Sequence, residues 1–99
     1  MKPLERVFFQ ACIMSSRLIL SDHTIIDRGM TVREITNVFY SLGFPIKRLW
    51  RYLEKWAGKG FYNYGVTLDL GWFEEENLTG EYKVMYDKIL EESARYGRN

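Results

Sequence analysis

Basic side chains are concentrated in one segment of this 99-residue chain, between residues 45 and 60. They are Lys47, Arg48, Arg51, Lys55 and Lys59, and Glu54 is the only carboxylate in the segment. Ammonium and guanidinium groups bind phosphate through charge-assisted hydrogen bonds, and the planar fork of arginine also matches the major-groove edge of guanine. The segment therefore predicts an anionic partner.

The small net charge of +1 hides an uneven distribution along the chain. Residues 1–60 hold ten Lys and Arg against five Asp and Glu, which gives +5. Residues 61–99 hold four against eight, which gives −4. A local basic patch matters more for phosphate binding than the total. The low total favours a specific or dimeric binder over a protein that coats nucleic acid by charge alone.

Two helices joined by a glycine turn are predicted to position the basic segment. Residues 31–42 form a supporting helix, because Thr31 and Glu34 have the spacing of a capping box and Gly43 supplies a stop. Residues 45–57 form the second helix. Its inward stripe is Leu49, Leu53 and Trp56. This spacing directs the basic side chains away from the core.

The second helix is expected to start at Pro45, since the first helical position needs no amide hydrogen. Its apolar spacing resembles that of winged helix-turn-helix regulators, in which a recognition helix is followed by a Gly-apolar pair that begins a hairpin wing. The matching residues are Leu49, Leu53, Trp56, Gly60 and Phe61. The resemblance covers about residues 31–73. It implies that the second helix lies in the DNA major groove.

The remaining segments complete the predicted fold. They are an N-terminal helix at residues 1–20, a hairpin wing at 61–73 and a C-terminal helix at 79–96. Ile25 and Ile26 suggest a short strand, and the turn of the wing falls either at residues 63–65 or at 69–71, since both contain glycine. The prediction is a single α+β winged-helix domain over residues 1–99 with an additional helix at each end.

An additional helix at each end resembles the layout of small dimeric bacterial and phage regulators, including PadR-type repressors and replication-terminator-like proteins. In those families a helix outside the recognition unit forms the dimer. The resemblance therefore implies a homodimer through the C-terminal helix, with Phe9 and Ile13 as further partners. The interface residues are Tyr82, Met85, Tyr86, Ile89 and Leu90. The alternative is that this apolar stripe closes the core of one chain.

The second helix supplies the predicted DNA-binding residues. Those expected to face the groove are Lys47, Arg48, Trp50 and Arg51, and those expected to reach phosphates are Lys55 and Lys59. The basic side chains have an alternative role as the solvated face of an amphipathic helix. Trp50 has an alternative role in core or interface packing.

The leading hypothesis is a sequence-specific DNA-binding protein, a small cytoplasmic transcriptional regulator that binds double-stranded DNA as a homodimer and is not an enzyme. The alternative is a winged-helix interaction module, an adaptor or an inhibitor, that binds a protein through the hairpin. Its aromatic and apolar patch would comprise Tyr62, Tyr64, Leu70 and Trp72. Residues 61–76 contain no Lys or Arg. We therefore expect the wing to make no main contact with DNA.

Other chemistry has little support in the sequence. His23 stands near serine and aspartate without a nucleophile-elbow motif, and one His with one Cys cannot complete a structural zinc site. The acidic run at residues 74–76 is expected to be solvated. Cys12 is the only cysteine, so no internal disulfide forms and a reducing cytosol fits. No apolar run reaches the length of a membrane span, and no metal or cofactor is predicted.

Overall fold

The computed structural model of the chain describes residues 1–15, 18–19, 25–26, 30–65 and 71–96. In these residues the chain is a small α+β protein, whose order of elements is compatible with a winged-helix layout. The helices are α1 (Pro3–Ser15), α2 (Val32–Ser41), α3 (Ile46–Gly58) and α4 (Gly80–Tyr96), and the strands are β1 (Leu18–Ile19), β2 (Ile25–Ile26), β3 (Tyr62–Asn63) and β4 (Trp72–Phe73). A 3₁₀ turn, Glu75–Asn77, precedes α4.

Helix α2 begins and ends where its sequence predicts. The Oγ1 atom of Thr31 accepts a hydrogen bond from the Glu34 amide at 3.1 Å, which satisfies one donor of the first turn. Gly43 has a φ of +96°, a left-handed conformation that glycine adopts without steric cost. The chain therefore turns sharply between α2 and α3.

Helix α3 begins at Ile46 and not at Pro45. Pro45 is the N-cap residue, with extended backbone angles of φ −71° and ψ 113°. Because the N-cap residue has non-helical angles, the fixed φ of proline is compatible with this position as well as with the first turn. The predicted start of α3 was therefore wrong by one residue.

Helix α1 is shorter than the predicted helix over residues 1–20. It ends at Ser15, and Leu18–Ile19 forms β1, which pairs antiparallel with β2 in the register Leu18 to Ile26 and Ile19 to Ile25. The predicted short strand at Ile25 and Ile26 is therefore confirmed. Strand β1 also lies beside β4.

Strands β3 and β4 form the hairpin that follows α3. Tyr62 pairs with Phe73 and Asn63 with Trp72 in an antiparallel register. After β3 the Asn63 side chain accepts a hydrogen bond from the Gly65 amide at 2.8 Å, and Gly65 has a φ of +74°. Residues 66–70, with most of the predicted alternation and one of the two predicted turn positions, lie outside the described residues.

One aromatic core joins α1, α3, β4 and α4. Trp56 lies at its centre and stacks on Phe8, with 5.5 Å between ring centroids. Phe9 meets the rings of Trp56, Phe73 and Tyr82 at centroid distances of 5.2, 5.3 and 5.4 Å. Edge-to-face pairs of this kind contribute about 0.5–1.5 kcal/mol each beyond the area they bury. The core thus holds α3 with one face inward.

The apolar stripe of α4 belongs largely to this core, which corrects the predicted dimer interface. Tyr82, Tyr86 and Ile89 are 8%, 0% and 6% exposed within one chain, because α1 packs along α4. Phe9 and Ile13 on α1 are fully buried as well. The alternative, that the stripe closes the core of one chain, holds for these residues. The other two predicted interface residues, Met85 and Leu90, are half-buried against the core.

Candidate nucleic-acid interface

Helix α3 separates its side chains into two faces. Leu49, Leu53 and Trp56 are at most 1% exposed, as their three- and four-residue spacing predicts. Lys47, Arg48 and Arg51 are exposed on the other side of the helix. We call these three residues the basic face. Because the opposite face of α3 is buried in the core, the helix presents three cations to solvent in a fixed orientation.

The basic face has no counter-ion in the described part of the chain. No carboxylate among the described residues forms an ion pair or hydrogen bond with Lys47, Arg48 or Arg51. Three like charges on adjacent turns repel one another, and an external anion relieves that repulsion. The arrangement is thus suited to binding a polyanion.

Two further residues predicted to contact DNA have different surroundings. Trp50 is half-buried and packs against the core, so the alternative role in packing holds for much of its ring. Lys59 is exposed at the end of α3, where its Nζ atom lies 5.9 Å from the centroid of the Phe61 ring. Lys59 therefore lies at the C-terminal end of α3, next to the start of the hairpin.

Lys55 is the predicted phosphate ligand that the structure places most differently. Its Nζ atom lies 3.1 Å from Oε1 of Glu5, whose residue is only 1% exposed. The other carboxylate oxygen of Glu5 accepts hydrogen bonds from Trp56 Nε1 at 2.9 Å and from the Tyr82 hydroxyl at 2.7 Å. We call Glu5, Lys55, Trp56 and Tyr82 the Glu5 cluster. In this cluster Lys55 balances a charge of its own chain.

The Glu5 cluster keeps a buried carboxylate ionised. Burial alone raises the pKa of Glu5, but hydrogen bonds from Tyr82, Trp56 and Lys55, with the positive charge of Lys55, outweigh it. The pKa of Glu5 therefore lies below its ordinary value. Conversely, Tyr82 and Glu5 raise the pKa of Lys55, which stays protonated. The cluster joins α1, α3 and α4, and so fixes the position of α3.

Sequence reasoning missed the Glu5 cluster, although a signal was present. Glu5 precedes Phe8, Phe9 and Cys12 by three, four and seven positions, so helical spacing places it on the buried face of α1. A carboxylate on such a face requires donors from other elements. Trp56 and Tyr82 supply them, and only the packing of three helices brings the two donors to one carboxylate.

The hairpin aromatics form less of a free surface than the alternative function needs. Tyr62 is 4% exposed and packs on Phe73, and its burial raises the pKa of its hydroxyl. Tyr64 and Trp72 are half-buried. Leu70 lies outside the described residues. The predicted docking patch on the hairpin therefore loses Tyr62 to the core.

The acidic run next to the hairpin is only partly solvated. Oε1 of Glu74 accepts hydrogen bonds from Trp72 Nε1 at 3.0 Å and from the side-chain Nδ2 of Asn63 at 3.3 Å. Glu75 lies 3.8 Å from Lys83, whereas Glu76 is exposed as expected. Glu74 thus braces the two strands of the hairpin and carries negative charge at its base.

Other kinds of site find no support in the part of the chain that the structure describes. Burial raises the pKa of the Cys12 thiol well above its ordinary value, which suits a packing role. In the described residues no group of three His, Cys, Asp or Glu side chains could hold a metal ion, and no helix is long and apolar enough to cross a membrane. His23 lies outside these residues. Comparison of the chain with protein-family models, with curated proteins and with solved structures finds no match.

Proposed function

We propose that this chain is a sequence-specific DNA-binding protein with a winged-helix fold, a small transcriptional regulator in which α3 is the recognition helix. The observation that carries the proposal is the basic face of Lys47, Arg48 and Arg51. These cations are exposed and share no ion pair with a described carboxylate, while the opposite face of α3 is anchored in the core.

The dimensions of α3 support this role. Its 13 residues span about 20 Å at 1.5 Å per residue, and the major groove of B-DNA, about 12 Å wide, admits an α-helix. Helix α2 packs against α3 and precedes it through the turn at Gly43. This is the relation of a supporting helix to a recognition helix.

Recognition rests on α3 and not on the hairpin. The segment of residues 61–76 has no Lys or Arg, and the Glu74 carboxylate at the base of the hairpin accepts a hydrogen bond from Trp72. Carboxylates near phosphate repel it, more strongly at a low-dielectric boundary. The wing of this protein therefore makes no main contact with the DNA backbone.

The experiment is a charge reversal on the basic face. Arg51→Glu lowers the net charge by two units, as does Lys88→Glu, a control at an exposed residue on α4. We expect Arg51→Glu to weaken binding to genomic DNA fragments strongly, Arg48→Glu with Arg51→Glu to abolish it, and Lys88→Glu to leave it nearly unchanged. Equal effects of the two single reversals would contradict a local interface and indicate a net-charge effect. Circular dichroism checks that each variant is folded.

Homodimerisation remains part of the proposal, because two recognition helices contact twice the length of DNA that one small domain contacts. Its surface cannot include the buried Tyr82, Tyr86 and Ile89. Val7 and Met14 on α1 are 52% and 50% exposed and are among the apolar side chains that a second copy can reach. Light scattering at tens of micromolar, with and without DNA, tests this. A monomer under both conditions would rule the dimer out.

A protein-binding module is the second candidate function, and exposed apolar side chains favour it. Tyr40 and Leu42, at the end of α2, are 60% and 69% exposed. Apolar and aromatic side chains of this kind are enriched at the centre of protein interfaces. Tyr64→Ala with Trp72→Ala tests the hairpin and Leu42→Ala tests α2. If these variants lose the biological activity of the protein and the variant with Arg48→Glu and Arg51→Glu keeps it, the DNA-binding proposal is wrong.

A further inference from the structure

An open pocket of about 530 Å³ lies between the start of α1 and the middle of α3. Its lining residues are Lys2, Pro3, Leu4, Arg48, Arg51 and Tyr52. Three of these residues are cationic and none is acidic. Two residues of the basic face therefore share one concave space with a third cation from another element.

The cations of the pocket lack counter-ions in the described part of the chain. Lys2, Arg48 and Arg51 form no ion pair there, whereas Lys55, on the same helix, pairs with Glu5. Three positive charges around one open space repel one another, and a multivalent anion between them relieves that repulsion. The pocket is therefore arranged for an anion from outside the chain.

The donors suit phosphate in particular. A guanidinium group presents paired N–H donors that match two phosphate oxygens, and a lysine adds a point charge. Arg48 and Arg51 are three positions apart on α3, so they project from neighbouring turns to the same side. The wall of the pocket is held in place, because the ring of Tyr52 stacks on Trp56 at a centroid distance of 6.5 Å.

The first turn of α1 adds a backbone donor beside these cations. The first hydrogen bond of the helix runs from the Arg6 amide to the Lys2 carbonyl at 2.9 Å, so the amide of Leu4, a lining residue of the pocket, has no acceptor within the helix. The positive end of the helix dipole lies at the same place. The Leu4 amide therefore supplements the three side chains and serves as a local probe of binding.

We propose that this pocket binds one phosphate group, held jointly by Lys2, Arg48 and Arg51. The phosphate belongs to a nucleic-acid backbone, and in that respect the proposal rests on the proposed function. It assigns Lys2, which the sequence did not single out, to the interface. It also assigns Arg48 and Arg51 to a phosphate, which leaves Lys47 as the residue of the basic face that faces the bases.

The first arm of the test measures duplex affinity across a range of salt concentrations. Lys2→Ala should weaken binding about tenfold, by the same factor for unrelated sequences, and lower the salt slope by at most about one, because the same phosphate keeps its two arginine ligands. Arg51→Ala should behave alike, and the double variant should lose less than the sum of the two because both ligands serve one phosphate. The control Lys88→Ala should match the wild type.

The second arm titrates inorganic phosphate into the free protein and follows the amide resonances of Leu4 and Tyr52, two lining residues of the pocket. We expect both to shift in the wild type and not in the variant with Arg48→Ala and Arg51→Ala. If DNA does not bind but phosphate shifts these resonances, the pocket stands, its ligand is a free phosphate compound, and the proposed function fails.

Three other outcomes overturn the assignment of the pocket to a phosphate. If Arg51→Ala weakens DNA binding but Lys2→Ala does not, α3 contacts DNA without this pocket, and only the further inference fails. If neither duplex nor inorganic phosphate responds to the three substitutions, the pocket is not a phosphate site. Loss of sequence preference in Arg51→Ala, in place of a uniform loss of affinity, would assign Arg51 to the bases and would also contradict the proposal.

Discussion

Helix α3 carries basic residues towards both of its ends, and the two ends meet different surroundings. Near its end, Lys55 pairs with the buried Glu5, in a cluster completed by Trp56 and Tyr82. Near its start, Arg48 and Arg51 line an open pocket and pair with no described carboxylate. Residues of similar charge on one helix thus meet different surroundings: Lys55 helps to hold the fold, whereas Arg48 and Arg51 remain exposed to solvent.

The difference lies in what the neighbouring elements supply. A buried carboxylate needs several donors, and Glu5 receives them from α3 and α4. The exposed arginines receive no acceptor from the described residues, so their charge remains available to an external anion. Basic residues can therefore be assigned to a binding surface only after the internal ion pairs are known. Substitutions in the Glu5 cluster and on the basic face test this division.

The largest expected effect is on the Glu5 cluster. Glu5→Ala should lower the free energy of unfolding by about 3–5 kcal/mol, because it leaves the Trp56 and Tyr82 donors buried without an acceptor. Urea unfolding measures the loss. Arg6→Ala, at the exposed neighbouring position on α1, should change the free energy by no more than about 0.5 kcal/mol. A similar loss in both variants would show that Glu5 has no special role.

Removing a single donor should lower the free energy of unfolding by a smaller amount. Tyr82→Phe keeps the ring in the core and deletes only the hydroxyl that donates to Glu5, so the free energy of unfolding should fall by about 1.5–3 kcal/mol. Tyr40→Phe is the matched control, since Tyr40 is 60% exposed and its substitution should be nearly neutral. If both variants unfold at the wild-type urea concentration, the hydrogen bond contributes nothing to stability.

The stability contributed by Glu5 should depend on pH in a defined direction. Because the pKa of Glu5 is lowered by folding, its stabilisation is complete above the ordinary carboxyl pKa of about 4.3 and is lost as pH falls through the lower folded-state pKa. Glu5→Gln cannot titrate at this position. The stability gap between wild type and Glu5→Gln should therefore narrow below about pH 4 in urea titrations. A gap constant from pH 7 to pH 3 would contradict the ionised state.

The smallest expected effects separate the two ends of α3 most directly. Lys55→Ala should lower the free energy of unfolding by about 1 kcal/mol, since its side chain is 45% exposed and its ion pair with Glu5 is screened by solvent. Arg51→Ala should stay within about 0.5 kcal/mol of wild type. In DNA binding the order should reverse, with Arg51→Ala the weaker binder. If the same variant were the more affected in both unfolding and DNA binding, the distinction between the two ends of α3 would be wrong.

Local sequence patterns were sufficient to predict most of the elements. The hydroxyl of Thr31 and the left-handed Gly43 bound α2 because capping and backbone preference act over a few residues. The strand at Ile25–Ile26 and the hairpin that follows α3 also lie where they were predicted. The predicted helix over residues 1–20 was too long. Strand β1 forms by pairing with β2, and a contact between two separate segments cannot be predicted from the periodicity of one of them.

The candidate site was predictable only on one side of α3. The exposure of Lys47, Arg48 and Arg51 follows from the apolar stripe of Leu49 and Leu53, which is a property of the helix itself. The partial burial of Trp50 and the ion pair of Lys55 do not follow from that stripe, because they depend on which elements pack beside α3. Lys2 joins Arg48 and Arg51 through the placement of α1, which no spacing within residues 45–60 could indicate.

The sequence by itself determined the amphipathic helices, their caps and the concentration of positive charge in α3, since these depend on residue type and short-range periodicity. Tertiary structure alone decided that the stripe of Tyr82, Tyr86 and Ile89 closes the core of one chain. It also decided that Glu5 is buried and receives its donors from α3 and α4. An apolar stripe specifies that a face must be covered, but which surface covers it depends on the relative positions of whole helices.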